Sequence, residues 1–154
     1  MTVAIIGHRK IDKTPELVKK VNNVLISLIE NKNADTFIFG SRSEFDDLCY
    51  KVITKIKITY PHIKRVYAMA EYNNGGEDYR NYLLSYYEDA FYDDSILGAG
   101  VLSYVKRNQL MVNMCDVLVV YYNLRYKPAR SNSGTKLAVE YARQRNKFVI
   151  NVFK

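Results

Sequence analysis

Ser131–Phe153 reads SNSGTKLAVEYARQRNKFVINVF, and how this stretch is parsed decides the fold. Leu137, Ala138, Tyr141 and Ala142 recur at i, i+1, i+4 and i+5, one stripe of a helix, which predicts a helix over Gly134 to Arg145. Phe148 to Phe153 comes next as a short β-rich run, so the segment is a helix feeding a strand. Its first residues raise a question. Ser133, Gly134 and Thr135 are small and polar, and something has to face the start of a helix that packs on a sheet.

The same alternation runs backwards along the chain. Val3 to Gly7 (VAIIG) reads as a first strand. Thr14-Pro15-Glu16 is a helix start, with Thr as N-cap, Pro at the first helical position and an acid in the first turn. Leu17, Val18, Val21, Val24, Leu25, Leu28 and Ile29 keep helical spacing after it. Asp35 to Phe39 is a second strand, ended by Gly40. Ser43 with Asp46 resembles a capping box opening a helix whose stripe is Phe45, Leu48, Cys49, Val52, Ile53 and Ile56. Pro61 ends that helix, and Arg65 to Ala70 is a third strand. A helix over Val101 to Met114 and a fourth strand over Val117 to Tyr122 lead to the closing segment. The reading is therefore one α/β domain over residues 1–154. It predicts a Rossmann-like, mainly parallel sheet of about five strands with helices on both faces.

Residues 72–100 interrupt the alternation. They hold a predicted helix around Tyr82 to Phe91, the turn signals Asn74-Gly75-Gly76 and Gly98-Ala99-Gly100, and six tyrosines between Tyr72 and Asp94. From Glu71 to Asp94 there are seven acids against Arg80 alone, while the other residues hold 22 Lys/Arg and nine Asp/Glu, a net of +13. A basic body thus carries an acidic, tyrosine-rich helical insert. Such an insert suits a lid stacking on a base, or an oligomer interface, and a homo-oligomer is expected. The positive charge suits either plain solubility or an anionic ligand.

Other classes are set aside by composition. No run approaches the roughly 20 apolar residues of a membrane span, and the short apolar run TVAIIG, interrupted by His8-Arg9-Lys10, does not look like a signal peptide, so a cytoplasmic protein with no membrane partner is expected. Cys49 and Cys115 read as buried reduced thiols. With His8 and His62 far from them, no metal site is expected, and no cofactor.

Parallel sheets bind ligands at the carboxyl ends of their strands, near a switch point. The loops there are Gly7-His8-Arg9, Gly40-Ser41-Arg42-Ser43-Glu44, and Asn123 to Ser133 with Arg125 and Arg130. Each combines a glycine or small residue with at least one arginine, suited to close backbone approach and to bidentate contacts with phosphate or carboxylate. Free N–H groups at a helix start add an anion site. Ser133-Gly134-Thr135 accordingly reads as a phosphate cradle. The alternative is a plain N-cap, for which Ser and Thr are common.

GHR after the first strand, FGSRSEFD after the second, R-N-Q-x-M-V before CDVLVVYY, and SGTKLAVEYA together resemble the SLOG superfamily, in particular its YpsA-like branch. That superfamily also includes the LOG phosphoribohydrolases and the Rossmann-like domain of the DNA-processing protein DprA. The motifs cover the chain except for residues 72–100. The resemblance implies a sheet binding a nucleotide-derived ligand. Its pocket would use Gly7, His8, Arg9, Gly40, Ser41, Arg42, Glu44, Arg107, Asn108, Asn123, Ser133, Gly134 and Thr135. By position alone, Arg107 and Asn108 read equally as a solvated mid-helix face.

LOG enzymes and deoxyribosyltransferases place a working glutamate two or three residues after the Thr of their G-T motif. Here Leu137 and Ala138 stand there, and Glu140 is turned roughly 200° from position 138. Glu44 and Glu140 remain weak catalytic candidates, and Glu44 and Asp46 suit a helix start equally well. The expectation is a binder of an ADP-ribose-like or cyclic nucleotide, acting as a sensor or a sequestering sponge of the kind a phage uses in counter-defence. The alternatives are an N-glycosidic hydrolase and a DprA-like binder of single-stranded DNA. The acidic insert argues against a long polyanion, so a nucleic acid polymer is not the expected partner.

Overall fold

A computed structural model describes residues 1–70, 76–96, 98–125 and 133–153. Tyr72, the Asn74-Gly75 turn signal, Arg130 and the Ser131-Asn132 approach to the last helix lie outside the described residues. The elements in chain order are β1 (Thr2–Gly7), α1 (Pro15–Lys32), β2 (Thr36–Phe39), α2 (Glu44–Thr59), β3 (Lys64–Met69), α3 (Gly76–Leu84) and β4 (Asp89–Tyr92). Then come α4 (Ser103–Met114), β5 (Val117–Tyr121), α5 (Gly134–Gln144) and β6 (Phe148–Asn151). The six strands form one sheet in the order β4-β3-β2-β1-β5-β6, and every described pairing is parallel. This is a Rossmann-like α/β fold.

The chain winds outward from β1 through β2 and β3 to β4, then returns to lay β5 on the other flank of β1. The switch point therefore lies between β1 and β5, whose register pairs Val3 with Val117 and Gly7 with Tyr121. Strand residues alternate between two cores because successive side chains point to opposite faces. Val3, Ile5, Phe37, Phe39, Val117 and Val119 pack with α1 and α2, and Leu83 of α3 joins them. Ala4, Ile6, Ile38, Leu118 and Val120 pack with Met111 and Val112 of α4 and with Ala138, Val139 and Ala142 of α5.

The largest departure from the sequence reading is the region between β3 and α4. The predicted helix over Tyr82 to Phe91 is replaced by α3, which stops at Leu84, and by the sixth strand, β4. Ala90, Phe91 and Tyr92 pair with Tyr67, Ala68 and Met69, and Ala90 is fully buried. Glu88 fixes the junction: its carboxylate accepts from the Arg65 guanidinium at 2.7 Å and from the Arg65 backbone N–H at 2.9 Å. An acid read as part of a helix face instead anchors an edge strand.

Candidate functional site

The strand ends are tied to one another by specific bonds. At the switch point His8, which is buried, accepts the Asn123 backbone N–H on Nε2 at 2.9 Å. Accepting there requires the neutral ring, and burial lowers the His8 pKa, so the imidazole joins the ends of β1 and β5 as a neutral group. Asn123 Oδ1 in turn accepts from Arg125 N at 2.9 Å. The Arg9 carbonyl accepts from Glu44 N at 2.9 Å, and Glu44 Oε1 accepts from Ile11 N at 3.0 Å, joining the β1 and β2 loops. Arg9 and Arg42 themselves are exposed.

The two glycines at strand ends have packing reasons for being glycine. A Cβ on Gly7 would lie 2.3 Å from Cδ2 of Phe45, so the ring closes over this position. A Cβ on Gly40 would lie 2.5 Å from Met111 Sδ and 2.8 Å from Arg107 Nε. Gly40 therefore lets α4 side chains cross the end of β2.

Arg107 is the central group. It is only 6% exposed, and its hydrogen bonds run from Nε and Nη2 to Asn108 Oδ1 at 3.2 and 3.1 Å. Its guanidinium also lies 5.5 Å from the Tyr104 ring centroid. Among the described residues no carboxylate comes within the 4.0 Å of an ion pair with it. Burial lowers its pKa, but a guanidinium stays charged. After burial, the largest electrostatic influences on it come from Tyr67 and then Asp46, both favouring the charged form. The mid-helix arginine that position alone would leave in solvent is thus a buried cation with donors to spare. Asn108 lies beside it and reaches toward Gly134, with Nδ2 3.8 Å from where a Cβ would stand.

The question at the start of α5 has a double answer. Ser133 is an N-cap: its Oγ accepts from Lys136 N at 3.3 Å. The Gly134 and Thr135 N–H groups precede the first possible intrahelical bond and have no acceptor within the helix. Thr135 is buried, and the first turn contains no acid. The cap thus falls on the same residues that the sequence reading assigns to a phosphate cradle. Glu140 lies on the exposed face of α5, with Lys136 Nζ 4.0 Å from its Oε1, and Ala138 is buried in the core.

The start of α2 is built differently. Ser43 Oγ accepts from Asp46 N at 3.0 Å and donates to Asp46 Oδ1 at 2.8 Å, while Asp46 Oδ2 accepts from Ser41 N at 3.1 Å. Glu44, Asp46 and Asp47 all sit in its first turn. Asp46 is 3% exposed, and desolvation pushes its pKa up to about 6 against the opposing pull of its hydrogen bonds and of Arg107. Arg42, next to this cap, has its Cζ 5.5 Å from the ring centroid of Tyr82 on α3. The tyrosine-rich stretch thereby borders the strand ends. Tyr67, buried near the end of β3, belongs to this cluster and reads in the sequence only as a strand residue.

Cys49 and Cys115 are buried free thiols, as expected. Among the described residues no group of three or more His, Cys, Asp or Glu could hold a metal, and no helix is long and apolar enough to cross a membrane.

No curated protein matches the chain. A family model does, over residues 5–153, and its span includes residues 72–100, which the motif resemblance left out. That inclusion agrees with β4 being a full member of the sheet. The switch point between β1 and β5, the arginine-bearing strand ends and this end-to-end match lead to one conclusion: the chain belongs to the YspA SLOG family.

Proposed function

We propose that this protein binds a small phosphate-bearing nucleotide derivative, of the ADP-ribose or cyclic-nucleotide kind, at the C-terminal edge of its sheet. It holds the ligand without turning it over, as a sensor or a sequestering protein. Membership of a SLOG family supports a nucleotide-related role. The observation that carries the finer reading is Arg107, a buried guanidinium with no ion-pair partner among the described residues. It stands next to a helix start free of acids. In this reading the phosphate takes the Gly134 and Thr135 N–H groups and the spare Arg107 donors.

Retention without turnover is supported by the residues after the G-T pair. Leu137 and Ala138 offer no carboxylate, and Glu140 faces solvent beside Lys136. Without a nucleophile or charge stabiliser, glycosidic cleavage loses a factor on the order of 10³. Calorimetry with ADP-ribose and cyclic dinucleotides is the test of binding, and mass spectrometry after long incubation the test of turnover. Expected are binding and an unchanged ligand.

One observation favours the hydrolase alternative. Asp46, with its pKa at about 6, is poised for general acid–base work. Both of its oxygens are engaged in the α2 cap, however. Release of free base or ribose phosphate, lost in Asp46→Asn or Glu44→Gln, would establish the enzyme. Tight binding of single-stranded DNA with no affinity for any nucleotide would establish the DprA-like alternative.

A further inference from the structure

A groove of about 750 Å³ runs between α1 and α2, with Lys13 of the β1–α1 loop and Pro15 at the start of α1 among its lining residues. Val18 and Val52 contribute apolar surface to it. Lys13, Lys19, Lys51 and Lys55 surround it, and no carboxylate is among the described residues that line it. All four lysines are exposed, and none has an ion-pair partner among the described residues. Apolar surface within a ring of four such cations asks for an occupant that is both apolar and acidic.

The chain carries such a surface itself, and next door. Tyr50 lines the groove, and its hydroxyl donates to the Tyr86 carbonyl at 2.6 Å, where the stretch after α3 begins. There Tyr82 is 47% and Tyr86 50% exposed, their rings 5.3 Å apart, and Glu77 and Asp78 lie exposed in the first turn of α3. A basic half and an acidic, aromatic half therefore share one surface. A two-fold axis between such halves sets each against its complement twice, which is the self-complementarity an isologous dimer needs.

We infer that the chain pairs with a second copy through this surface. Tyr82 and Tyr86 of each protomer cover the apolar groove of the other, and Glu77 and Asp78 meet its lysines. Tyrosine suits both demands, since its ring buries apolar area while its hydroxyl stays hydrated. The dimer surface touches the rim of the proposed nucleotide site through Tyr82, whose ring centroid lies 5.5 Å from Arg42 Cζ, and its formation needs no bound ligand.

Sedimentation equilibrium tests this directly. The wild-type chain should weigh twice 17.9 kDa at physiological salt and dissociate as salt rises. Lys51→Glu with Lys55→Glu should give a monomer, as should Glu77→Lys with Asp78→Lys, each with unchanged circular dichroism. Mixing the two variants should restore a dimer, because each reversed patch then meets an opposite one. If the reversals disturb folding, Lys51→Ala with Lys55→Ala reads the same contact more mildly and should weaken the dimer. A wild-type monomer at all concentrations would overturn the inference, as would a dimer indifferent to both variants. So would a monomer whose groove takes up an acidic helical peptide, since the occupant would then be another protein.

Discussion

α2 and α5 both begin at the carboxyl edge of the sheet, both are capped by a serine, and both come after a loop carrying arginine, yet their first turns are opposites. α2 fills its own positive end with Glu44, Asp46 and Asp47. α5 has no acid in its first turn and has Asn108 beside it, with Arg107 behind. The dipole at a helix start attracts one negative charge about as well as another. A start already supplied with carboxylates has little left for a phosphate, whereas one without them still needs an anion. Two similar motifs therefore differ in what they leave open: the α2 start is neutralised by its own carboxylates, and the α5 start is the one to which the proposed function assigns a phosphate.

The comparison is open to attack at its strongest point first. Gly134→Asp sets a carboxylate in front of α5 and should abolish nucleotide binding in calorimetry. Gly134→Ala should be nearly silent, because among the described residues its Cβ meets only Asn108 Nδ2 at 3.8 Å. If Gly134→Asp binds normally, the phosphate does not belong to α5. Next in size, Arg107→Met keeps the bulk and removes the charge. It should cost about a hundredfold in affinity, or ~3 kcal/mol, while the thermal transition persists. A loss below about threefold would make Arg107 a packing residue. Arg42→Ala, on the exposed side of the α2 start, should cost only about tenfold. An Arg42 effect exceeding that of Arg107 would invert the ranking of the two helix starts.

The smallest effect concerns Asp46 and is read in stability. Its pKa rises from 3.8 unfolded to about 6 folded, so between those values the folded chain holds a proton that the unfolded chain has released. This contribution is present at low pH and is lost as pH rises through about 6. Urea titrations of Asp46→Asn across this window should show a flatter decline with pH than the wild type. An equal slope in both proteins would remove a protonated, buried Asp46 from the energetics of the α2 cap.

Much of this contrast is written in the residue order. The βα alternation, the N-caps at Thr14, Ser43 and Ser133, and the grouping of glycines with arginines at strand ends can be read from local spacing. Such features depend on neighbours three or four positions apart. Burial of Arg107 cannot be read that way. It depends on Gly40 in another element leaving room for the side chain to cross β2, a contact between residues far apart in sequence. His8 is similar, since a ring that looks available for a ligand is engaged by the backbone of Asn123. β4 is hidden for the opposite reason. Tyr82 to Phe91 has residues compatible with a helix, and only pairing with β3 and the anchoring of Glu88 by Arg65 make its end a strand.

The position of β1 has a consequence for how the chain is made. Val3 pairs with Phe37 on one side and with Val117 on the other. During synthesis the first flank is satisfied early, while the second waits for the 80 residues from Phe37 to Val117, a delay on the order of ten seconds. Throughout that interval Val3–Ile6, buried in the finished protein, present an apolar strand with one open edge. Chains interrupted before Val117 keep that edge permanently and are the species most prone to aggregate. The switch point, where the proposed ligand would sit in the folded protein, is in the growing chain the last seam to close.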